Sequence, residues 1–162
     1  MIVMKFGGSS LKSAERIKQM HNILAQRLTQ EPILVLSAIG GVTDLLLSFA
    51  KNSENKEVDS SNIVGLHHNI ASELGLNPKS TELESLNELL DNLSGILKGI
   101  SLLKQSSPQV EDLVVSFGER LSVRLVTAYL KSKGIKARFI DCLLYTSPSP
   151  RDATLSRMPS SA

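Results

Sequence analysis

The sequence KFGGSS, residues 5–10, ends the first apolar run of the chain. Residues 1–4 are typical of a short, fully buried strand, and a helical pattern begins a few residues after Ser10. A strand that breaks at paired glycines before a helix presents backbone N–H groups beside the positive helix end, which favours an anion. Lys5 adds a full positive charge at the strand tip. The stretch therefore indicates a phosphate site, although a bare Gly-Gly pair also marks ordinary tight turns.

A second unit of the same kind follows. Residues 14–28 show a helical stripe that Ser13 can cap, with apolar positions at Ile17, Met20, Ile23, Leu24 and Leu28. Residues 33–36 are a second apolar run, so strand, helix and strand predict a βαβ unit with parallel strands. The next stretch, SAIGGVTD at residues 37–44, again leads through glycines into a helical run. We expect both glycine loops to line one sheet edge, while Thr43 or Asp44 can alternatively serve only as a helix cap.

The middle of the chain predicts a helical insert over about residues 60–106, after a polar connector at residues 51–60. Two apolar series separated by Gly75 and Pro78 predict an antiparallel hairpin that buries its own apolar faces. The first series is Ile63, Leu66, Ile70 and Leu74, and the second is Leu83, Leu86, Leu90, Leu93, Leu97 and Ile100. His67 and His68 are adjacent and so point in different directions on a helix, which disfavours a shared metal.

The last periodic segments surround the sequence SFGERLS at residues 116–122. A short helix opened by Pro108 is expected before it, and a second helix ending near Gly134 after it. Ser116 and Glu119 fit a capping box for the second helix, and Glu119 fits an active-site carboxylate as the alternative. Residues 137–140 are expected to form a third strand.

Composition limits the classes of function. The chain has 162 residues, a formal charge of +2, 41% hydrophobic and 4% aromatic residues, as expected for one α/β domain. The charge is too small to indicate nucleic acid or an acidic membrane as a partner. No apolar run approaches the roughly 20 residues of a membrane helix, and no signal peptide precedes the first strand, so a cytoplasmic location is expected.

Residues 142–162 differ in character from everything before them. They read CLLYTSPSPRDATLSRMPSSA, hold three of the six prolines, and show neither helical nor strand periodicity. The segment resembles a translated transposase-type sequencing adapter, so we expect an artefactual, disordered tail and a natural sequence that diverges after Asp141. The only cysteine, Cys142, lies in this segment, which leaves no basis for a disulfide or a cysteine-bound metal.

Taken together, KFGGSS, SAIGGVTD and SFGERLS resemble, in order and spacing, three signatures of the aspartokinases in the amino acid kinase superfamily. The resemblance covers nearly all of residues 1–141 and implies the N-terminal half of an amino acid kinase fold: an α/β domain with a parallel-type sheet, flanking helices and the helical-hairpin insert. It implies an enzyme that phosphorylates L-aspartate with ATP to 4-phospho-L-aspartate, the entry to lysine, threonine and methionine biosynthesis. ATP would bring Mg²⁺ with it, and the full-length protein is expected to be a homo-oligomer.

The resemblance also implies roles for individual residues. Lys5 would be catalytic and, with Gly7, Gly8 and Ser9, would bind the nucleotide. The aspartate would be bound by Ser37, Thr43 and Glu119. No residue is expected to be a metal ligand. Because the family's remaining site residues and its regulatory domains lie beyond this part, the chain as written is expected to be inactive.

Two alternatives remain open. The chain can belong to another amino acid kinase, acting on acetylglutamate, glutamate or carbamate, or it can be a regulatory or binding module that lost activity. A fusion to homoserine dehydrogenase is also compatible with the helical insert.

Overall fold

The computed structural model of the protein describes residues 1–52, 60–104 and 106–141, with side chains described for all of these except residues 51 and 52. Most of the predicted polar connector and all of the predicted tail at residues 142–162 lie outside the described residues. In chain order the elements are β1 (Ile2–Phe6), α1 (Ala14–Ala25), β2 (Pro32–Leu36), α2 (Val42–Asn52), α3 (Ser61–Glu73), α4 (Thr81–Leu103) and α5 (Pro108–Ser132).

The βαβ prediction is confirmed. Strands β1 and β2 pair in parallel with Ile2 opposite Pro32 and Phe6 opposite Leu36, and α1 makes the crossover between them. Ser13 caps α1 as expected, since its side chain accepts a hydrogen bond from the Arg16 backbone N–H at 3.3 Å. The parallel pairing brings both strand ends, and hence both glycine loops, to the same edge of the sheet.

The prediction that the first strand is fully buried is wrong. Phe6 is buried, but Val3 is 61% exposed, and Ile33 and Val35 on β2 are 49% and 46% exposed. These three residues alternate with the residues that contact the core, so they share the opposite face of the sheet. The helices of the described residues therefore cover one face only.

The predicted stripe of α1 is only partly buried. Ile17, Met20 and Leu24 are buried, whereas Ile23 is 47% exposed and Leu28 is 40% exposed. Ile23 is displaced from the line of the other three around the helix, and Leu28 lies in a short 3₁₀ turn beyond the end of α1. The spacing predicted the helix correctly but made its buried stripe too wide.

The antiparallel helical hairpin is confirmed by contacts between α3 and α4. The Ser60 and Ser94 hydroxyls lie 2.9 Å apart, and His68 Nε2 lies 2.9 Å from Asn87 Oδ1. All six predicted apolar residues of α4 are buried.

The sequence predicted that the hairpin buries its own apolar faces, and this part of the prediction is wrong. Its helix α4 packs extensively and antiparallel against α5. The Lys131 ammonium donates to Glu82 Oε1 at 2.9 Å, and Arg124 Nε donates to Ser85 Oγ at 3.4 Å. The insert therefore shares one apolar core with the sheet and the other helices.

Helix α5 is continuous from Pro108 to Ser132, so the predicted break and the capping box at Ser116 and Glu119 are wrong. The cap is Ser107, whose side chain accepts from the Val110 N–H at 3.3 Å. Ser116 Oγ donates instead to the Leu113 carbonyl at 2.6 Å, a bond within the helix. Serine can make this backward bond in a helix interior, so the S-x-x-E spacing alone does not place a helix start.

The predicted third strand at residues 137–140 is not formed. After Gly134, which has a φ of 78°, the Ala137 N–H donates to the Ile135 carbonyl at 2.8 Å, a tight turn. The Phe139 ring then packs under the Arg124 guanidinium at 4.6 Å. A cavity of about 1280 Å³ is lined by residues 31–36 and residues 133–141. No ladder hydrogen bond joins these two described segments, because side-chain contacts with α5 hold residues 139–141 instead.

Candidate active site

The two glycine loops touch at the carboxyl end of the sheet. The Ser37 N–H donates to the Phe6 carbonyl at 3.1 Å, and the Gly40 N–H donates to the Gly8 carbonyl at 3.1 Å. A Cβ at Gly8 would lie only 2.9 Å from the Ala38 carbonyl oxygen, which is backbone and cannot move aside. Glycine is therefore required at residue 8 for the loops to approach so closely. This contact confirms the expectation that both loops line one edge.

The first loop presents groups that suit an anion. Lys5 is exposed on β1, beside Val35, and the described part of the chain offers its ammonium group neither a hydrogen-bond acceptor nor an ion-pair partner. After Gly7 the chain forms a 3₁₀ turn at Gly8–Ser10. Within the described ranges, the Gly8 and Ser9 N–H groups also have no acceptor. A cation and two unpaired amides at one strand end can hold a phosphate.

The second loop leads into α2 through Gly41, whose φ of 88° is a conformation that favours glycine. Helix α2 begins at Val42, so its N-terminal amides and dipole lie next to the same sheet edge. Thr43 is half-buried in the first turn, and Asp44 beside it is exposed. The loop thus adds a hydroxyl and a second region of positive potential to the site.

Helix α5 forms the third wall. A Cβ at Gly118 would lie 2.8 Å from Ala38 Cβ, so the helix backbone presses against the second glycine loop. Glu119 comes next and is half-buried, and it forms no ion pair with any described residue. Ser122, one turn further on, donates to the Ser37 carbonyl at 2.6 Å. The predicted residues Ser37 and Glu119 are thereby brought to neighbouring walls.

The arginine that follows Glu119 is occupied elsewhere. Arg120 Nε donates to Asp141 Oδ2 at 2.8 Å, and Arg124 lies 3.9 Å from the same oxygen. Burial, and then the nearby Arg120 charge, lower the pKa of Arg124, but a guanidinium remains protonated. Because Arg120 is paired with Asp141, it does not pair with Glu119, and the Glu119 carboxylate stays available for a positively charged group of a ligand.

Six predicted site residues lie at the strand ends, in the glycine loops or in the first turn of α2: Lys5, Gly7, Gly8, Ser9, Ser37 and Thr43. Glu119 lies on α5 next to Gly118, and it also lines the cavity beside residues 31–36 and 133–141. Sequence reasoning missed Gly118 and Ser122 as parts of the site. An isolated glycine inside a helix often marks a close packing contact, but the helix break predicted at residues 116–119 hid that signal for Gly118. Ser122 carried no such signal, because a serine in a helix is ordinary.

Metal clusters and membrane-spanning helices are both absent from the described residues. No group of three or more His, Cys, Asp or Glu side chains there is placed to hold a metal ion. In the same ranges, no helix is both long enough and apolar enough to cross a membrane.

The chain is similar to known proteins in both sequence and fold. The amino acid kinase family description matches residues 1–158. Aspartokinase 2, chloroplastic, of Arabidopsis thaliana is 41% identical over 147 residues, which is 86% of this chain and 26% of that protein. Aspartokinase 1, chloroplastic, of the same plant is 38% identical over 148 residues, with coverages of 86% and 25%.

A solved structure shares the fold. The crystal structure of E. coli aspartokinase III in complex with aspartate and ADP superimposes with a TM-score of 0.71 at 25% identity, covering 86% of this chain and 31% of that one. The chain thus spans about a quarter of the length of the Arabidopsis relatives that it matches. The α/β fold, the paired glycine loops and the family match lead to one conclusion: the chain belongs to the amino acid kinase family.

Proposed function

We propose that the complete gene product carrying this chain transfers the γ-phosphoryl group of ATP to the β-carboxylate of L-aspartate, forming 4-phospho-L-aspartate and ADP. The observation that supports the proposal is the contact between the two glycine loops, against which α5 packs at Gly118, so that β1, the second loop and α5 meet at one sheet edge. Similarity to aspartokinases over 86% of the chain supports aspartate as the acceptor.

The proposed chemistry needs little from the protein beyond position and charge. An oxygen of the aspartate β-carboxylate attacks the γ-phosphorus, and the bond from that phosphorus to the β,γ-bridging oxygen breaks as ADP leaves. The carboxylate is already ionised at neutral pH, so no general base is required. Lys5 would oppose the negative charge on the transferring group, while the Gly7, Gly8 and Ser9 amides hold phosphate oxygens.

The substrate would bind on the other side of the cleft. Glu119, half-buried and without an ion pair among the described residues, suits the aspartate ammonium group. Ser37 and Thr43 would donate hydroxyl hydrogen bonds to its carboxylates. Mg²⁺ would be held through the nucleotide phosphates, where it neutralises charge. A homo-oligomeric state, a cytoplasmic location and a role in lysine, threonine and methionine biosynthesis stay predictions.

The test is a coupled assay of ADP formation by the complete gene product, with aspartate, acetylglutamate, glutamate and carbamate as alternative acceptors. We expect turnover with aspartate alone among these acids, and no turnover by residues 1–162 assayed separately. Preference for another acid would assign a different member of the family. Absence of turnover with every acid would favour a binding module.

A substitution at Lys5 tests the mechanism. Lys5→Ala should lower turnover by about two to three orders of magnitude, because it removes charge stabilisation of the transition state. The matched control is Lys98→Ala, which removes an exposed lysine from α4. Turnover by Lys5→Ala equal to that of the control would remove Lys5 from the mechanism.

A further inference from the structure

Ser122 lies where helix α5 meets the second glycine loop. It is 1% exposed, and its Oγ is 2.6 Å from the Ser37 carbonyl oxygen and 2.9 Å from the Glu119 carbonyl oxygen. A hydroxyl carries one proton, so it donates to one acceptor at a time, and the shorter contact is the one to Ser37. That bond joins residues 85 positions apart in the chain. Ser122 therefore links two walls of the candidate site directly.

Gly118, one helical turn before Ser122, also contacts the second glycine loop. Residues four apart lie on the same face of a helix, so Gly118 and Ser122 both face the loop. The backbone at Gly118 packs so closely on Ala38 that an added Cβ would come within 2.8 Å of it. Ser37 and Ala38 are consecutive, so one face of α5 holds the loop by a hydrogen bond and by packing at adjacent residues. Glu119 lies between the two contacts.

We propose that Ser122 is a positioning residue that sets the separation of Ser37 and Glu119, the two sides of the aspartate subsite. The inference rests on the proposed function and adds to it a residue that touches neither substrate nor nucleotide. Both described hydrogen bonds of Ser122 go to Ser37 and Glu119 on the aspartate side, and neither reaches the first glycine loop. Loss of the Ser122 bond should therefore loosen the aspartate side more than the phosphate side.

The experiment compares steady-state kinetics of the complete gene product and its Ser122→Ala variant. We expect the KM for aspartate to rise about three- to tenfold, as a lost hydrogen bond implies, while the KM for ATP changes less than about twofold. Ser122→Thr keeps the hydroxyl and should restore most of the affinity for aspartate. If the alanine variant unfolds, Ser122→Cys, close to serine in volume and a weak donor, takes its place.

Ser132 provides the matched control. Its Oγ donates to the Tyr129 carbonyl at 2.7 Å, a bond to the residue three positions earlier that resembles the one from Ser122 to Glu119. It lies about 15 Å further along the same helix. Ser132→Ala should therefore leave both KM values unchanged. Thermal unfolding of each variant measures the loss of stability separately from the kinetics.

The outcomes separate the inference from the proposed function. Wild-type protein without aspartate-dependent turnover would overturn the proposed function itself. Active wild-type protein whose Ser122→Ala variant keeps the aspartate KM of the Ser132→Ala control would overturn only the positioning role. An equal rise in the KM for aspartate and for ATP would also overturn it, because that pattern indicates a general loss of structure.

Discussion

Gly118→Ala tests the contact between α5 and the second glycine loop. The new Cβ would lie 2.8 Å from Ala38 Cβ and 3.5 Å from Leu46 Cδ1. Two carbons prefer about 3.5–4.0 Å, so the helix or the loop must move by about 0.7–1.2 Å. Ala38 Cβ is bonded to the backbone and cannot rotate away. Overpacking of this kind costs about 1–3 kcal/mol, and the helix propensity of alanine returns about 1 kcal/mol.

The net expectation is a loss of up to about 2 kcal/mol in the free energy of unfolding, or up to about 6 °C in Tm, measured by urea and thermal unfolding of the chain. Gly95→Ala is the matched control. Gly95 lies inside α4 with no atom within 4 Å of an added Cβ, so the same substitution should stabilise by about 0.5–1 kcal/mol. If Gly118→Ala stabilised the chain as much as Gly95→Ala does, the close contact would not exist in solution.

Three further predictions concern stability. Burial lowers the pKa of His67 below the value of 6.5 typical of an exposed histidine. As the pH falls below about 6.5, the unfolded chain therefore binds a proton at this residue more readily than the folded chain does, and the free energy of unfolding decreases. His67→Gln should flatten the dependence of the unfolding free energy on pH between about 5 and 7, and an unchanged slope would contradict this. Asp141→Asn removes the buried negative charge that pairs with Arg120 and should cost about 1–3 kcal/mol in urea unfolding. Glu82→Gln, which removes the charge from the more exposed ion pair between α4 and Lys131 of α5, should cost less, and the reverse order would refute the reasoning. Ser107→Ala removes the cap of α5 and should cost about 0.5–1 kcal/mol, whereas Ser107→Asp should be nearly neutral.

The parts of the fold that the sequence predicted are those with local causes. Near Lys5, each element follows from residues close to it in the chain: the apolar run determines β1, the paired glycines determine the turn, and the apolar spacing determines α1. Parallel pairing then places both loops at one edge, because a crossover connection leaves no other arrangement. The six-residue apolar series of α4 was correct for the same reason.

The errors depended on contacts between distant segments. Residues 137–140 have the composition of a strand, but they are held by α5 and pair with no described strand. Ser116 and Glu119 have the spacing of a helix start, yet α5 runs through them without a break because Ser107 already caps it. The role of Ser122 could not be predicted for the same reason, because its partner Ser37 is 85 residues away in the chain.

The sheet face that the described residues leave uncovered affects how the chain behaves when it is produced. Val3, Ile33 and Val35 place three branched apolar side chains next to one another in water, on a pair of strands. Strands with such surfaces readily join those of another molecule. Preparations of the chain should therefore show light scattering that grows with protein concentration, and replacing Val3 and Val35 by threonine should reduce it while leaving the pairing of β1 with β2 intact.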